Sequence, residues 1–353
     1  MDRMRRKMKD KRLAAMAYAV AAALFYAINV PCSKLLLEYV EPTFMAALLY
    51  LGAGSGVGIM YLFHKSKEFP EERLVRKDLP FTVGMVVLDI IAPILLMIGI
   101  HMGTSSNASL LGNFEIVATS VIALAVFKEK ISKRLWAAIG FITLSSALLS
   151  FEGSGSFQFS VGSLFVLGAA VCWGFENNCT RSISEKSTHQ IVTIKGFFSG
   201  AGSFLTALVM GEKLPELKYV LPALLLGFVS YGLSIFTYIR AQKTLGAAKT
   251  SAFYAVAPFI GAFLSFVLLK ESLTAGYAAA LLIMIIGTAF VIADTLINDH
   301  MHTHMHRLTH THDHSTHVHI VVHSHMHHHY ISGEKHEHRH SVSELERLVK
   351  EQE

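Results

Sequence analysis

Gly52-Ala-Gly-Ser-Gly-Val-Gly58 recurs as Gly196-Phe-Phe-Ser-Gly-Ala-Gly202. Gly52, Ser55, Gly56 and Gly58 fall on Gly196, Ser199, Gly200 and Gly202 at a constant offset of 144 residues. Tyr26, Cys32, Ser33 and Lys34 fall in the same way on Trp173, Cys179, Thr180 and Arg181, at an offset of 147. Lys128-Glu129 falls on Lys270-Glu271 at 142. Three matches in one order indicate a unit written twice, with small loop insertions between the copies. Both glycine segments lie inside long apolar runs with no strand before them, so they do not read as phosphate-cradling loops. Glycines four apart, Gly52/Gly56 and Gly196/Gly200, let helices approach closely in lipid, and packing is the role expected of them.

Working outward, the chain has 353 residues, 52% of them hydrophobic and only 16% charged. Its mean hydropathy is +0.44. A soluble domain carries about 25% charged residues. The charges here cluster at the ends and in short gaps, and between the gaps run stretches near the roughly 20 residues that cross a bilayer. Ten are expected as spans: Leu13–Val30, Thr43–Phe63, Phe81–Ile100, Ser106–Phe127, Leu135–Ser150, Val161–Asn178, Ile191–Met210, Tyr219–Ile239, Ala247–Leu269 and Leu273–Ile297. The first is not a signal peptide, because it matches the sixth and nine more spans follow it.

The fold class expected is thus an all-α integral membrane protein of ten transmembrane helices. A basic N-terminus (1–12) precedes repeat one (13–150) and repeat two (161–297), and a disordered histidine-rich tail (299–353) follows. With the N-terminus inside, the inner segments hold 21 Lys and Arg and the outer loops four. That asymmetry puts both termini in the cytoplasm and the protein in the cell membrane, plasma or inner, as a multi-pass chain. Five spans per copy is an odd number, so the second copy is inverted. Inverted repeats are the architecture of secondary transporters, whose substrates bind near the midplane. The basic balance follows from this topology, and no nucleic-acid partner is needed to explain it. Cys32, Cys172 and Cys179 offer no disulfide framework.

These residues resemble a known family. Trp173-Gly174 in the first helix of a repeat, Lys34 and Arg181 closing that helix, Phe-Lys-Glu-Lys and Leu-Lys-Glu-Ser after the fourth, and Pro258 in the ninth span are similar to EamA domains of the drug/metabolite transporter superfamily. The resemblance covers residues 13 to 297. It implies two five-helix repeats and a secondary carrier, often an exporter of amino acids, metabolites or drugs. This chain departs from the pattern at Tyr26, which replaces a Trp, and at Glu115-Ile116, which stands where repeat two has Ala257-Pro258. The histidine-rich tail is a further departure.

Asp89 and Glu115 lie mid-span, where an acid costs about 2.5–3.5 kcal/mol and marks a functional site by default. The short Gly103–Ser105 connection makes their helices neighbours, so both acids are expected to face one cavity and to exchange protons for a cationic or zwitterionic substrate. Pro93 is expected to loosen the third helix beside Asp89. Asn29 and Glu176 occupy matching repeat positions, and Glu176 with Asn177 is expected to form a gate or substrate contact, or to pair with Arg181. Asn107 and Asn113 are expected to line the cavity. Tyr231, Tyr238 and Tyr254 are expected first as core packing, with stacking on a substrate cation as the alternative.

Seventeen of the 20 histidines fall after residue 298. They alternate with other residues as His302, His304, His306, then His310, His312, His314, then His323, His325, His327, with His328 and His329 following. Neutral imidazole suits Zn, Ni, Co and Cu, so the tail is expected to bind divalent metal. Ser343–Lys350 carries a capping-box pattern for a short helix.

No catalytic constellation is present, and neither enzymatic activity nor a required cofactor is expected. The partners expected are the bilayer, a small-molecule substrate, divalent metal at the tail and a second copy in a homodimer. Transport of a small organic solute with proton or solute exchange is the first reading. A divalent-metal carrier fed by the tail is the second, and a membrane-anchored metal sensor the third.

Overall fold

The computed structural model describes residues 2–64, 70–127, 131–152, 158–245, 250, 253–312 and 315–330. The repeat match at Lys128-Glu129, the ligand candidate His314 and the Ser343–Lys350 helix lie outside the described residues. Two compact units are present, Met1–Ile292 and Ala293–Glu353.

The first unit opens with α1 (Asp2–Ala27), α2 (Asn29–Leu36), α3 (Pro42–His64), α4 (Leu79–Met102), α5 (Ser105–Leu111), α6 (Phe114–Phe127) and α7 (Lys133–Leu149). A ladder of two-residue strands, β1 (Phe151–Glu152) and β2 (Gln158–Phe159), precedes α8 (Val161–Ser182), α9 (Thr188–Met210) and α10 (Leu217–Gly227). A π-helical segment, Phe228–Leu233, leads into α11 (Ser234–Leu245), and α12 (Ala257–Leu269) and α13 (Ala275–Leu296) follow. Each of the ten expected segments contains helix. Among the described residues, seven spans are long and apolar enough to cross a membrane. The other three segments fall on α7, α8 and α12. α7 and α12 have only 17 and 13 residues, and the last turns of α8 carry Glu176, Asn177, Asn178, Thr180 and Arg181.

Two spans differ in detail from the sequence reading. α4 continues through Pro93, which has no N–H to donate to the Asp89 carbonyl, without interruption of the helix. The break comes instead in the fourth span, where Gly112 and Asn113 separate α5 from α6.

The first unit exposes many apolar side chains, and its largely apolar interior also holds charged and polar groups. Phe63, Phe198, Leu205, Val209 and Val267 are exposed, while Asn29, Asp89, Glu176 and Lys195 are buried. Such an exterior is stable against hydrocarbon, and buried polar groups must then find partners within the protein.

Packing between helices depends on glycine. α3 lies along α9, and α4 lies along α8. A Cβ on Gly196 would stand 2.3 Å from Gly54 Cα and 2.8 Å from Tyr50 O, both backbone atoms. A Cβ on Gly52 would meet Leu224 O of α10 at 2.0 Å, and on Gly200 it would meet Leu51 N at 2.8 Å. At Gly56 the clash is with the Phe228 ring, at 1.9 Å. Substituting Gly196 with Val should therefore force α3 and α9 apart, at a cost of about 3 kcal/mol or more. The folded fraction in fluorescence size-exclusion chromatography should collapse. Gly140→Ala, where a Cβ meets nothing within 4 Å, should leave it unchanged.

Charged side chains close the helix ends. Glu212 accepts the backbone N–H of Thr43 and of Phe44 at 3.0 and 2.9 Å, capping α3. Glu271 accepts those of Ser105 and Ser106 at 2.7 and 2.9 Å at the start of α5. Lys34 donates to the carbonyls of Ile100, His101 and Gly103 at 2.6, 3.1 and 2.8 Å, at the C-terminus of α4. Each charge has the sign that the helix dipole favours. The Lys-Glu and helix-closing basic positions read in the sequence thus tie parts of the chain more than 60 residues apart.

Over the described residues 297–312 and 315–330, the second unit departs from the expectation of a disordered tail. β3 (Ile297–His312) and β4 (Ser315–Tyr330) pair as an antiparallel hairpin. The cause is a period of two, with His alternating against Thr, Met, Val and Ile, a pattern that suits a strand.

Candidate functional site

The site is built where residues 13–150 meet residues 161–297. Asp89, on α4, is 0% exposed. Tyr50, on α3, donates its hydroxyl to Asp89 Oδ1 at 2.8 Å. Lys195, on α9 and 7% exposed, sets its ammonium 3.0 Å from Asp89 Oδ2. The same ammonium donates to Glu176 Oε1 on α8 at 2.8 Å. Thr180, one turn after Glu176, donates to that oxygen as well. One buried cation therefore lies between two buried carboxylates contributed by different halves of the chain.

Glu115 opens α6, and its Oε1 accepts the Asn177 amide at 2.6 Å. Asn177 also reaches Thr119 Oγ1 at 3.3 Å. Of the adjacent residues Glu176 and Asn177, Asn177 touches Glu115 directly, and Glu176 is linked to Asp89 through the shared Lys195 ammonium. Among the described residues no hydrogen bond joins Asp89 to Glu115; Asn177 and Glu176 of α8 lie against Glu115 and against the Lys195 that holds Asp89. Among the described residues Glu115 forms no salt bridge. With all carboxyls ionised, Asp89, Glu176 and Glu115 outnumber Lys195 by two charges.

A run of tyrosines extends from this centre. Asn29 donates to the Tyr231 hydroxyl at 3.2 Å and accepts from Ser33 at 3.2 Å. The Tyr231 ring lies 5.0 Å from Tyr50 and 6.1 Å, edge-on, from Tyr26. Tyr26 lies 5.6 Å from Tyr254, which lies 5.2 Å from Tyr238. Tyr231 belongs to the π-helical segment, a local widening often found at functional sites.

The other expected residues scatter. Asn113 is 2% exposed, and its amide nitrogen has no hydrogen-bond partner among the described residues. Asn107 donates to Leu149 O at 3.3 Å, at the end of α7. Glu176 pairs with Lys195, an arrangement the sequence reading did not foresee. Lys195, Tyr50 and Thr180 were all missed there. A lysine inside the apolar run Ile191–Met210 was the available signal, since a charge at that depth is as costly for a base as for an acid. Among the described residues no group of three or more His, Cys, Asp or Glu is arranged to hold a metal ion.

A helical membrane protein with charge buried between two similar halves is built like a carrier. The EamA-like transporter family matches residues 13–151 and 160–293, and the chain belongs to that family. It is a multi-pass membrane transporter. An uncharacterized transporter of Methanothermobacter thermautotrophicus is 24% identical over 301 residues, covering 78% of this chain and 85% of that protein. The uncharacterized transporter YyaM of Bacillus subtilis is 22% identical, over 69% of this chain and 82% of its own length. A solved crystal structure shares the fold with a TM-score of 0.59 at 17% identity, covering 80% of this chain and 96% of its own.

Proposed function

We propose that this transporter is a secondary active carrier that exports a small organic cation or zwitterion, such as an amino acid, metabolite or drug, in exchange for protons. The observation that carries the reading is Glu115, a buried acid whose partners among the described residues are neutral, beside an Asp89–Lys195–Glu176 cluster that has one cation for two carboxyls. A carboxyl of this kind takes either a proton or a substrate cation, and competition between the two is exchange. Tyr26, Tyr231 and Tyr254 supply the aromatic faces that attract an organic ammonium. Asn113 and Asn29 supply neutral polar groups for the rest of such a solute. Alternating access moves the two halves about this centre, with both termini in the cytoplasm of a cell-membrane protein.

Divalent metal is a poorer cargo. Lys195 occupies the space between Asp89 and Glu176 that a metal ion would need, and its charge repels one. The tail serves better as a metal buffer or regulator than as a feeder. The test is flux in proteoliposomes holding the full chain, or a chain ending at Asn298, with a pH dye inside. Cationic or zwitterionic solutes should cross and drive protons the other way with or without the tail. Flux of Zn2+ or Ni2+ alone would reverse the assignment, and no flux of any solute would favour a sensor.

A further inference from the structure

One cluster of titratable side chains lies away from the carboxyls, at the end of the unit where α3 stops and α9 starts. His189, the second residue of α9, is 8% exposed. The ring of His64, the last residue of α3, stacks on it with centroids 4.5 Å apart and planes 22° from parallel. Tyr61 of α3 lies 6.1 Å from the same imidazole, and Phe236 of α11 meets it at 4.9 Å and 61°. The Arg240 guanidinium sits over that Phe236 ring, 4.8 Å from its centroid. α3 belongs to residues 13–150, whereas α9 and α11 belong to 161–297, so the stack crosses from one half to the other. Other contacts cross at the same end. The Gln190 amide donates to the Tyr61 hydroxyl at 2.9 Å, and its oxygen accepts the Leu74 N–H at 2.9 Å. Ser187 N–H donates to the Glu72 carbonyl at 2.6 Å, and Lys186 donates to the Glu71 carbonyl at 3.3 Å and lies 3.8 Å from the Asp78 carboxyl. Tyr238 of α11 packs into the apolar cluster that holds Phe236. Of these side-chain types, imidazole is the one whose charge ordinarily changes between about pH 5 and 8.

We propose that His64 and His189 form a second proton site, and that filling it releases the closure between the halves at this end. A single protonated imidazole still stacks on a neutral one. Two protonated imidazoles put like charges 4.5 Å apart where His189 is largely shielded from water, with the Arg240 cation just beyond Phe236. Repulsion at that range and in that setting outweighs the attraction of a ring pair. The strain is relieved by moving α3 away from α9 and α11, which parts the two halves in the way that alternating access requires. In the orientation proposed above this is the cytoplasmic end, so acid in the cytoplasm favours the state open to it. The proposal rests on alternating access, and neither on the cargo nor on Glu115.

The experiment reads the gap between the halves directly. The full-length chain, with Cys32, Cys172 and Cys179 replaced by Ala, carries spin labels through Leu62→Cys on α3 and Glu185→Cys ahead of α9, both exposed positions. Their separation is measured by double electron–electron resonance in lipid nanodiscs at about pH 7.5 and about pH 5, on either side of the imidazole range. With both histidines present, acid should raise the ratio of separated to closed molecules at least about tenfold. His64→Phe keeps a ring in the stack and leaves at most one charge there, so it should hold that change below about twofold. His189→Phe should do the same from the other side, and either variant decides the matter if the other fails to fold. Acid opening of full size in these variants would overturn the proposal and place the sensor at the buried carboxyls. No acid response with both histidines present would overturn it too, and would leave proton exchange at Glu115 untouched.

Discussion

Lys195→Met should cost the transporter most of its folded population. The substitution keeps the length and apolar stem of the side chain and removes only the ammonium. Asp89 and Glu176 would then lie buried with no cation between them, since Lys195 contacts the two at 3.0 and 2.8 Å. Tyr50 and Thr180 would remain as hydrogen-bond donors but would not balance the charge. Breaking a buried ion pair by deleting one partner costs about 3–5 kcal/mol, because the other charge is left unpaired. Replacing a whole buried cluster by neutral groups of like shape is often close to neutral. The triple variant Lys195→Met, Asp89→Asn, Glu176→Gln should therefore recover most of the thermal stability lost by the single one. The comparison is a melting curve of each detergent-purified variant followed by size exclusion. A Lys195→Met protein as stable as the unaltered chain would show that the cluster does not hold the halves together. Failure of the triple variant to recover would point to packing by the lysine stem instead of charge.

Glycine spacing and the apolar runs made the helices and the two halves legible in the sequence, because both follow from what lipid requires of a backbone. Asp89 and Glu115 were legible as costly acids. Their partners were not, because a partner is a matter of which helices touch. Asp89 is reached by Tyr50, 39 residues away, and by Lys195, over 100 residues away. No periodicity in either helix signals that meeting. Glu212 and Glu271 were hidden for the same reason, since each caps a helix about 165 residues or more from itself. The hairpin was hidden differently. Its period of two is plain in the alternating histidines, but a period alone does not say which two segments pair.

Glu115→Gln should abolish organic-solute flux while leaving the fold intact, and so separate the charge that transports from the charge that holds. Gln keeps an oxygen to accept the Asn177 amide, which now reaches Glu115 Oε1 at 2.6 Å. It keeps the volume and removes the charge that no described cation pairs. Because a lone acid at this depth costs about 2.5–3.5 kcal/mol, losing it should leave stability equal or higher. A loss of flux of about 100-fold or more is expected, the order seen when a group acting directly on the transported species is removed, here about 3 kcal/mol. Substrate-driven proton movement should vanish with it, and cellular metal content should not change. If Glu115→Gln instead lowers metal flux, the protein carries metal and the tail is its collector. If flux persists at the normal rate, Glu115 is a packing group, and the exchange site must be sought at Asp89 and Glu176. The two variants together form the sharper argument. Lys195 holds two carboxyls together and should matter to folding, whereas Glu115 pairs with no described cation and should matter to transport. A chain that buries three carboxyls around one ammonium has a use for the imbalance.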